Sequence, residues 1–257
     1  MAVSSRTGSE IEIIAADWPA AAHIHACTTT RKGGVSRGVY QGLNLATHVH
    51  DDAGHVARNR EILAHQLKLP AEPVWLNQVH SARVIRVDAT TDLTADAACT
   101  DQPGAVCAVL TADCLPVFFT DAAGSCVGIA HAGWRGLHAG VISATLEMMQ
   151  TLAASAGEIM VWLGPAIGPN AFEVGAEVVE AFSSKNPANS AAFTRTDADH
   201  WLCDIYRLAR TELALAGVEQ VYGGGLCTHG DAGRFYSWRR EGETGRMASL
   251  IWMDPAR

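Results

Sequence analysis

The dominant pattern along the chain is a series of short apolar segments separated by glycine, proline and polar residues. Most of these segments are four to eight residues long and rich in valine, isoleucine or aromatic residues, which is typical of β-strands. We predict strands at residues 11–14, 23–30, 74–79, 83–87, 105–110, 117–120, 126–130, 160–163, 220–222 and 249–252.

Longer segments between these runs repeat apolar residues every three or four positions, which indicates helices. The segment 204–216 has an N-cap candidate in Asp204 and a C-cap glycine in Gly217. The predicted helices are residues 54–67, 137–154, 175–182 and 204–216.

The order of the predicted elements indicates the fold class. Strand pairs come first and strand–helix alternation follows, so we expect an α/β (α+β mixed) fold with mixed β-sheets flanked by helices. Glycine and proline are spread evenly, and no repeat or long linker interrupts the 257 residues. We therefore predict a single layered domain covering residues 1–257.

Composition and charge exclude several classes of protein. Apolar residues make up 48% and charged residues 18%, which argues against a disordered chain and against a coiled coil. The net charge of −8 argues against sequence-independent binding to nucleic acid, which needs a cationic surface. No segment approaches the roughly 20 apolar residues of a membrane span, and residues 1–10 lack the apolar core of a secretory signal. We expect a cytoplasmic protein without membrane contact, whose seven cysteines are free thiols.

Three segments place a potential metal ligand at the end of an apolar run. These ligands are His80, Cys114 and His131, and a glycine turn follows His131 directly. Side chains at the carboxyl ends of strands often form the sites of α/β proteins. Two imidazoles and a thiolate suit Zn²⁺, and copper is also possible with these ligand types. Three protein ligands leave the fourth position of a tetrahedral zinc site open for water or substrate.

The same residues allow a reading without metal. Cys114 would then be a thiolate nucleophile, with His80 or His131 as its base. Asp113 could orient that base or transfer a proton, or it could be a turn residue that bonds its own backbone. Spacing alone does not separate these alternatives.

Several arginines suggest that an anion binds, because guanidinium groups hold phosphate or carboxylate in a bidentate manner. Arg31 lies in a glycine-rich loop, and Arg135 lies beside His131. His229, in a second glycine-rich loop, is a candidate for lining the pocket. Further arginines near a helix start and near the C-terminus are Arg58, Arg60, Arg239, Arg240 and Arg246.

A set of motifs in a fixed order resembles one known family. The motifs include Thr29–Ser36, Asn77–His80, Thr111–Val117, His131–Gly136 and Phe235–Arg240. Each is weak alone, but the ordered set closely resembles the YfiH/laccase-domain family, also called multicopper polyphenol oxidase-like proteins and related to human FAMIN. The resemblance runs from about residue 28 to the C-terminus.

The resemblance implies a layered α/β fold similar to the catalytic domain of cytotoxic necrotizing factor toxins. It also implies a metal site formed by His80, Cys114 and His131. Family members are linked to phosphorolysis of purine nucleosides and to adenosine deamination. Others are described as copper-dependent oxidases of phenols or linked to editing of peptidoglycan precursors.

The first functional hypothesis is therefore a zinc-dependent purine nucleoside phosphorylase, acting on adenosine, inosine and methylthioadenosine, with adenosine deaminase activity. Asp113, Cys114 and Arg135 are its candidate catalytic residues. The candidate residues for substrate and phosphate are Arg31, Arg60, Arg135, Arg240 and His229. The alternatives are a copper-dependent polyphenol oxidase, a cysteine or metal amidohydrolase that edits peptidoglycan precursors, and a non-catalytic metal-dependent binding module. The expected partners are small molecules, a purine nucleoside and phosphate, and the oligomeric state stays open.

Overall fold

The structure, a computed structural model, describes residues 10–153 and 158–255. Most of the N-terminal segment used to argue against a secretory signal, and the last residue of the helix predicted over 137–154, lie outside these ranges. The described residues form strands and α-helices connected by loops and two short 3₁₀ helices at Gly38–Tyr40 and Pro187–Ala192.

The strands, in chain order, are β1 (Ile13–Ala15), β2 (Ile24–Thr29), β3 (Val74–Trp75), β4 (Val84–Arg86), β5 (Ala97–Thr100), β6 (Val106–Thr111), β7 (Leu115–Asp121), β8 (Val127–Ala132), β9 (Ile159–Leu163), β10 (Glu173–Gly175), β11 (Phe193–Arg195), β12 (His200–Cys203), β13 (Gln220–Gly223) and β14 (Met247–Met253). The helices are α1 (Ala53–Leu67), α2 (Trp134–Ala139), α3 (Val141–Leu152), α4 (Ala176–Lys185), α5 (Ile205–Leu215) and α6 (Trp238–Glu241).

Two large mixed sheets form the centre of the fold. A five-stranded sheet has the order β1-β2-β14-β6-β3, and a six-stranded sheet has the order β13-β9-β7-β8-β5-β4. Each combines antiparallel pairs with parallel ones, namely β3 with β6 in the first sheet and both β13 with β9 and β4 with β5 in the second. A smaller antiparallel sheet has the order β10-β12-β11.

The two large sheets face each other, and helices cover their outer faces. Alternation along β7 shows this arrangement, because Phe118 packs between the sheets while Val117 and Phe119 pack toward the helices. Helices α3 and α5 contribute to the cluster outside the six-stranded sheet, and Leu63 of α1 packs outside the five-stranded sheet. The layers are therefore helix, sheet, sheet and helix, and the predicted mixed α/β fold class is confirmed.

The structure differs from the sequence-based elements in several places. The helix predicted over 137–154 starts earlier and divides into α2 and α3, because Gly140 adopts a positive φ of 96° that ends the first helix. Strand β5 was missed because its residues Ala97–Thr100 are small and carry no β-branched residue before Thr100. The short strands of the three-stranded sheet were also missed.

Among residues 10–153 and 158–255, no helix combines the length and the apolar character of a membrane-spanning segment. The extent of the domain over residues 1–257, the cytoplasmic location and the likeness to the toxin domain stay predictions.

Candidate metal site and cavity

The three predicted ligands come together at one end of the two facing sheets. His80 lies in the connection that follows β3, and His131 lies near the end of β8. Cys114 lies in the short segment that leads from β6, in the five-stranded sheet, to β7, in the six-stranded sheet. The site therefore forms where the chain crosses from one sheet to the other, and each ligand comes from a different loop or strand end.

The distances fit a single metal ion. The ligand atoms of His80, Cys114 and His131 all lie within 4.8 Å of one another, and they are the metal-ligating group found among the described residues. The sulfur of Cys114 is 4.0 Å from Nε2 of His80. Tetrahedral zinc with ordinary bond lengths separates its ligand atoms by roughly 3.3–3.6 Å. Small side-chain rotations would close that difference, so the residues fit the metal.

Gly133 leaves the space that these ligands occupy. A Cβ atom built at this position would lie 2.8 Å from the sulfur of Cys114 and 3.0 Å from Cδ2 of His80. Both separations are closer than unstrained contacts, so a larger residue would push the ligands away. The glycine turn after His131 is therefore required by the packing of the ligand side chains.

The buried carboxylate of Asp96 contacts the side chain of one of the three ligand residues, His131. Nδ1 of His131 lies 2.9 Å from Oδ1 of Asp96, and Asp96 is fully buried. This leaves Nε2 of His131 as the nitrogen available to a metal. Burial raises the pKa of Asp96, but hydrogen bonds from His131 and Ser81 outweigh burial and lower it to about 2. Asp96 is therefore ionised.

The metal-free site stabilises a thiolate. Burial raises the pKa of the Cys114 thiol, but the nearby His131 and His80 outweigh burial and lower it to about 6. Burial conversely lowers the pKa of His131, while Cys114 and Asp96 raise it to about 9. Both shifts favour a thiolate–imidazolium pair, and thiolate is the form of cysteine that binds metals.

The pKa shift of Cys114 predicts how its alkylation depends on pH. A depressed pKa means that thiolate predominates above about pH 6, so the alkylation rate of chelator-treated protein should fall as the pH drops through 6. The rate should change little between pH 7.5 and 9. Mass spectrometry of iodoacetamide-labelled peptides measures the rate at Cys114 alone. A rate that climbs up to pH 9, as for an ordinary thiol, would contradict the thiolate.

The three ligands open into a cavity of about 520 Å³. Its wall combines apolar and aromatic side chains with polar ones, as is typical of small-molecule sites. Trp238 stands out because 56% of this large aromatic residue is exposed. The apolar and aromatic lining residues are Leu110, Trp134, Ile167, Phe172, Ile205 and Trp238.

Three arginines line the same cavity, namely Arg135, Arg239 and Arg246. Arg135 lies over the ring of Trp134, with its guanidinium carbon 4.4 Å from the ring centre. In the part of the chain that the structure describes, none of the three forms an ion pair with a carboxylate. Burial lowers the pKa of Arg246, although Cys114 and Asp113 raise it. The cavity therefore presents positive charge beside the metal ligands.

Two of the arginines predicted to bind phosphate lie elsewhere. Arg31 donates a hydrogen bond of 2.8 Å to the carboxylate of Glu241 and lines a different cavity, formed by the first glycine-rich loop. Arg60 donates two hydrogen bonds to the carbonyl of Leu45 and stacks over Trp75 at 4.1 Å. Neither side chain lines the cavity of the metal ligands.

The other two residues predicted for substrate also lie outside this cavity. Arg240 donates to the carbonyls of Thr228, His229 and Phe235, which holds the second glycine-rich loop in place. His229 lines a separate cavity together with Cys227. Of the predicted arginines, only Arg135 lines the metal-site cavity within the described ranges. Arg239 and Arg246 were noted in the sequence as part of a C-terminal cluster but were not assigned to the substrate.

Asp113 lies at the crossing beside Cys114 and lines the cavity, but its carboxylate already accepts three hydrogen bonds. Oδ1 accepts from the hydroxyl of Thr228 at 2.6 Å, and Oδ2 accepts from the hydroxyl of Ser237 and the backbone N–H of Arg239. Its φ of 90° is unusual for a residue other than glycine. These contacts favour a role in fixing the crossing and the start of α6 over proton transfer.

Comparisons with known proteins identify relatives of this chain. A family profile described as "Multi-copper polyphenol oxidoreductase laccase" matches residues 25–254. The chain is 49% identical to a purine nucleoside phosphorylase of Pseudomonas aeruginosa, covering 92% of this chain and 96% of that protein. It is 48% identical to the purine nucleoside phosphorylase YfiH of Escherichia coli, covering 94% and 99%. A crystal structure of a Neisseria meningitidis protein superposes with a TM-score of 0.87 at 48% identity, covering 94% and 99%.

Proposed function

The chain belongs to the multi-copper polyphenol oxidoreductase laccase family, the YfiH/laccase-domain family, and on that basis we propose that it is a metal-dependent purine nucleoside phosphorylase. The observation that carries this proposal is the content of one cavity: a His–Cys–His ligand group, an aromatic wall and three arginines that have no carboxylate partner among the described residues. Phosphorolysis needs an anion site beside a surface that binds the purine, and this cavity offers both.

The arginines would hold inorganic phosphate. In phosphorolysis a phosphate oxygen forms a bond to C1′ of the ribose while the bond from C1′ to the purine nitrogen breaks. The purine leaves with the electron pair and takes up the proton that the phosphate gives up, so the products are the free base and a pentose 1-phosphate. Arg135, Arg239 and Arg246 can bind the phosphate oxygens and place them near the sugar, which removes much of the entropic cost of the encounter.

The aromatic wall would bind the base. Trp238 is more than half exposed at the cavity, and Trp134 and Phe172 line it as well. Stacking between a base and an aromatic side chain contributes roughly 1–3 kcal/mol, largely independent of which base is present. Such a surface suits adenosine, inosine and methylthioadenosine alike.

His80, Cys114 and His131 would hold the metal, and zinc suits this donor set. A bound zinc ion would supply Lewis acidity at the cavity. The chain's own contribution is to fix the donors at the sheet crossing and to exclude water with the apolar residues Ile167 and Ile205. We also propose that the same cavity deaminates adenosine, replacing the amino group at C6 by water-derived oxygen with release of ammonia.

Product analysis tests the proposal. Purified protein loaded with zinc is incubated with adenosine, inosine or methylthioadenosine, with and without phosphate. We expect release of free base that requires phosphate, with an equal amount of pentose 1-phosphate. Conversion of adenosine to inosine without phosphate reports the deaminase activity separately. Fully loaded protein that releases no base from any of the three nucleosides would contradict the phosphorylase.

The description of the family favours copper-dependent phenol oxidation as a second candidate. Multicopper chemistry needs several metal sites, whereas the described residues provide one three-ligand group. Loading the protein with copper or with zinc and assaying a phenol separates the two. Oxidation that rises with copper occupancy would support the oxidase.

A further inference from the structure

The carboxylate of Asp96 makes an unusually large number of contacts for a single buried side chain. Oδ1 accepts from the backbone N–H of His80 at 2.9 Å and faces Nδ1 of His131 at 2.9 Å. Oδ2 accepts from the backbone N–H of Ser81 at 2.6 Å, from its hydroxyl at 2.8 Å and from the backbone N–H of Val79 at 3.2 Å. The two oxygens thus receive five hydrogen bonds, and two of the contacts involve metal ligands directly.

The backbone around His80 is strained, which explains why so many contacts are needed. His80 has a φ of 59°, in the left-handed region that residues other than glycine rarely adopt. Three successive backbone N–H groups converge on Asp96 and hold the loop in this conformation. The carboxylate therefore fixes the backbone position of His80, from which the imidazole side chain extends.

The contact to His131 determines which of its nitrogens is free. An ionised carboxylate can only accept a hydrogen bond, so Nδ1 of His131 carries a proton, and in the neutral ring that binds a metal Nε2 is left with its lone pair. The backbone also takes part, because the N–H of His131 donates to the carbonyl of Asp96 at 2.7 Å. Asp96 thus fixes both the tautomer and the position of the second histidine.

We propose that Asp96 is the positioning residue of the metal site, with one buried carboxylate holding His80 through its loop and His131 through its Nδ1 proton. Carboxylates behind metal-binding histidines fix ring orientation in this way. The proposal goes beyond the proposed function, because it concerns the assembly of the ligand set and holds for whichever reaction the cavity catalyses. A failure to find phosphorolysis would leave its test unaffected.

The variant Asp96→Asn removes the ionised acceptor at nearly constant volume. An amide has one oxygen and one NH₂ group, so in either orientation at least two of the five donors would face another donor. We expect the affinity for Zn²⁺, measured by competition with a chromogenic chelator, to fall by roughly 10- to 100-fold. The matched control Asp88→Asn removes the same charge at an exposed position, paired with Arg86, and should bind Zn²⁺ like the wild type.

A measurement of the tautomer separates positioning from general stability. Nitrogen-15 NMR of metal-free, histidine-labelled wild-type protein at pH 10, above the pKa of about 9 at which His131 loses its second proton, should show the remaining proton of His131 on Nδ1 and none on Nε2. In Asp96→Asn this single tautomer should be lost. Wild-type affinity in Asp96→Asn, or a neutral His131 ring in the wild type that carries its single proton on Nε2, would overturn the proposal. Because the second result needs no variant, the proposal remains testable if Asp96→Asn does not fold.

Discussion

Replacing Cys114 with alanine is expected to remove the metal and the activity together. The thiolate is one of only three protein ligands that the site offers among the described residues. Structural zinc sites gain roughly 10–16 kcal/mol from their full ligand set, so losing one ligand should cost ~3 kcal/mol, a factor of about 100 in affinity. Zinc content after dialysis and turnover of inosine with phosphate should therefore both fall to near background in Cys114→Ala.

The control for this experiment is another half-buried thiol. Cys227 lines a separate cavity and receives backbone N–H groups of Gly168 and Gly230. Cys227→Ala should keep both zinc and turnover. If Cys114→Ala instead keeps zinc at full occupancy while losing turnover, Cys114 is a nucleophile and the ligand assignment is wrong. Inactivation of the wild type by alkylation, without any effect of a chelator, would lead to the same conclusion and favour the amidohydrolase.

The sequence singled out His80, Cys114 and His131 as candidate ligands, and two of the three have a local signal. His131 ends an apolar run and precedes a glycine, and Cys114 precedes a proline two residues on. What the sequence did not reveal is that β6 and β7 belong to different sheets. That crossing brings the ligands together, and it depends on packing between segments that are distant along the chain.

The sequence around Asp96 indicates a buried charge with a partner, although Asp96 was not among the predicted site residues. It is a lone acidic residue inside the apolar run Leu93–Cys99, and an unpaired charge there would be costly to bury. A partner was therefore to be expected. The identity of that partner could not be predicted, because His131 is 35 residues away and meets Asp96 only when β5 pairs with β8.

The arginines of the cavity were the least predictable part of the candidate site. Arg239 and Arg240 are neighbours in α6, and consecutive helical residues point about 100° apart. One side chain therefore reaches the cavity while the other reaches the glycine-rich loop. No periodicity decides between them, because the four-residue helix has no apolar stripe and its orientation is set by the contacts of Asp113.

Of the three cavity arginines, Arg246 is the one whose contacts and burial most strongly favour phosphate binding. It is half-buried, and within the described ranges its guanidinium donates only to the carbonyls of Thr244 and Gly245, which carry no charge. A buried cation without a paired anion is costly, and phosphate would provide that anion. The buried hydroxyl of Thr111 has no hydrogen-bond partner in the described part of the chain, and this residue lines the same cavity.

Arg246→Met should therefore weaken phosphate binding far more than nucleoside binding. A methionine keeps the apolar stem but loses charge-assisted hydrogen bonds of roughly 1.5–3 kcal/mol, so KM for phosphate should rise about 10- to 150-fold. KM for inosine should change less than about threefold. Phosphate should also raise the Tm of the wild type and not that of the variant, which tests binding without turnover.

Arg58→Met is the matched control, because this arginine is exposed and pairs with Glu61 three residues further along the same helix. The kinetic constants of Arg58→Met should equal those of the wild type, since exposed ion pairs contribute little to the stability of the fold. Equal increases of KM for phosphate and inosine in Arg246→Met would instead mean that the cavity was distorted as a whole. An unchanged phosphate KM, together with an intact Tm shift, would place the anion at Arg135 and Arg239 alone, because those two are the remaining arginines of the cavity wall among the described residues.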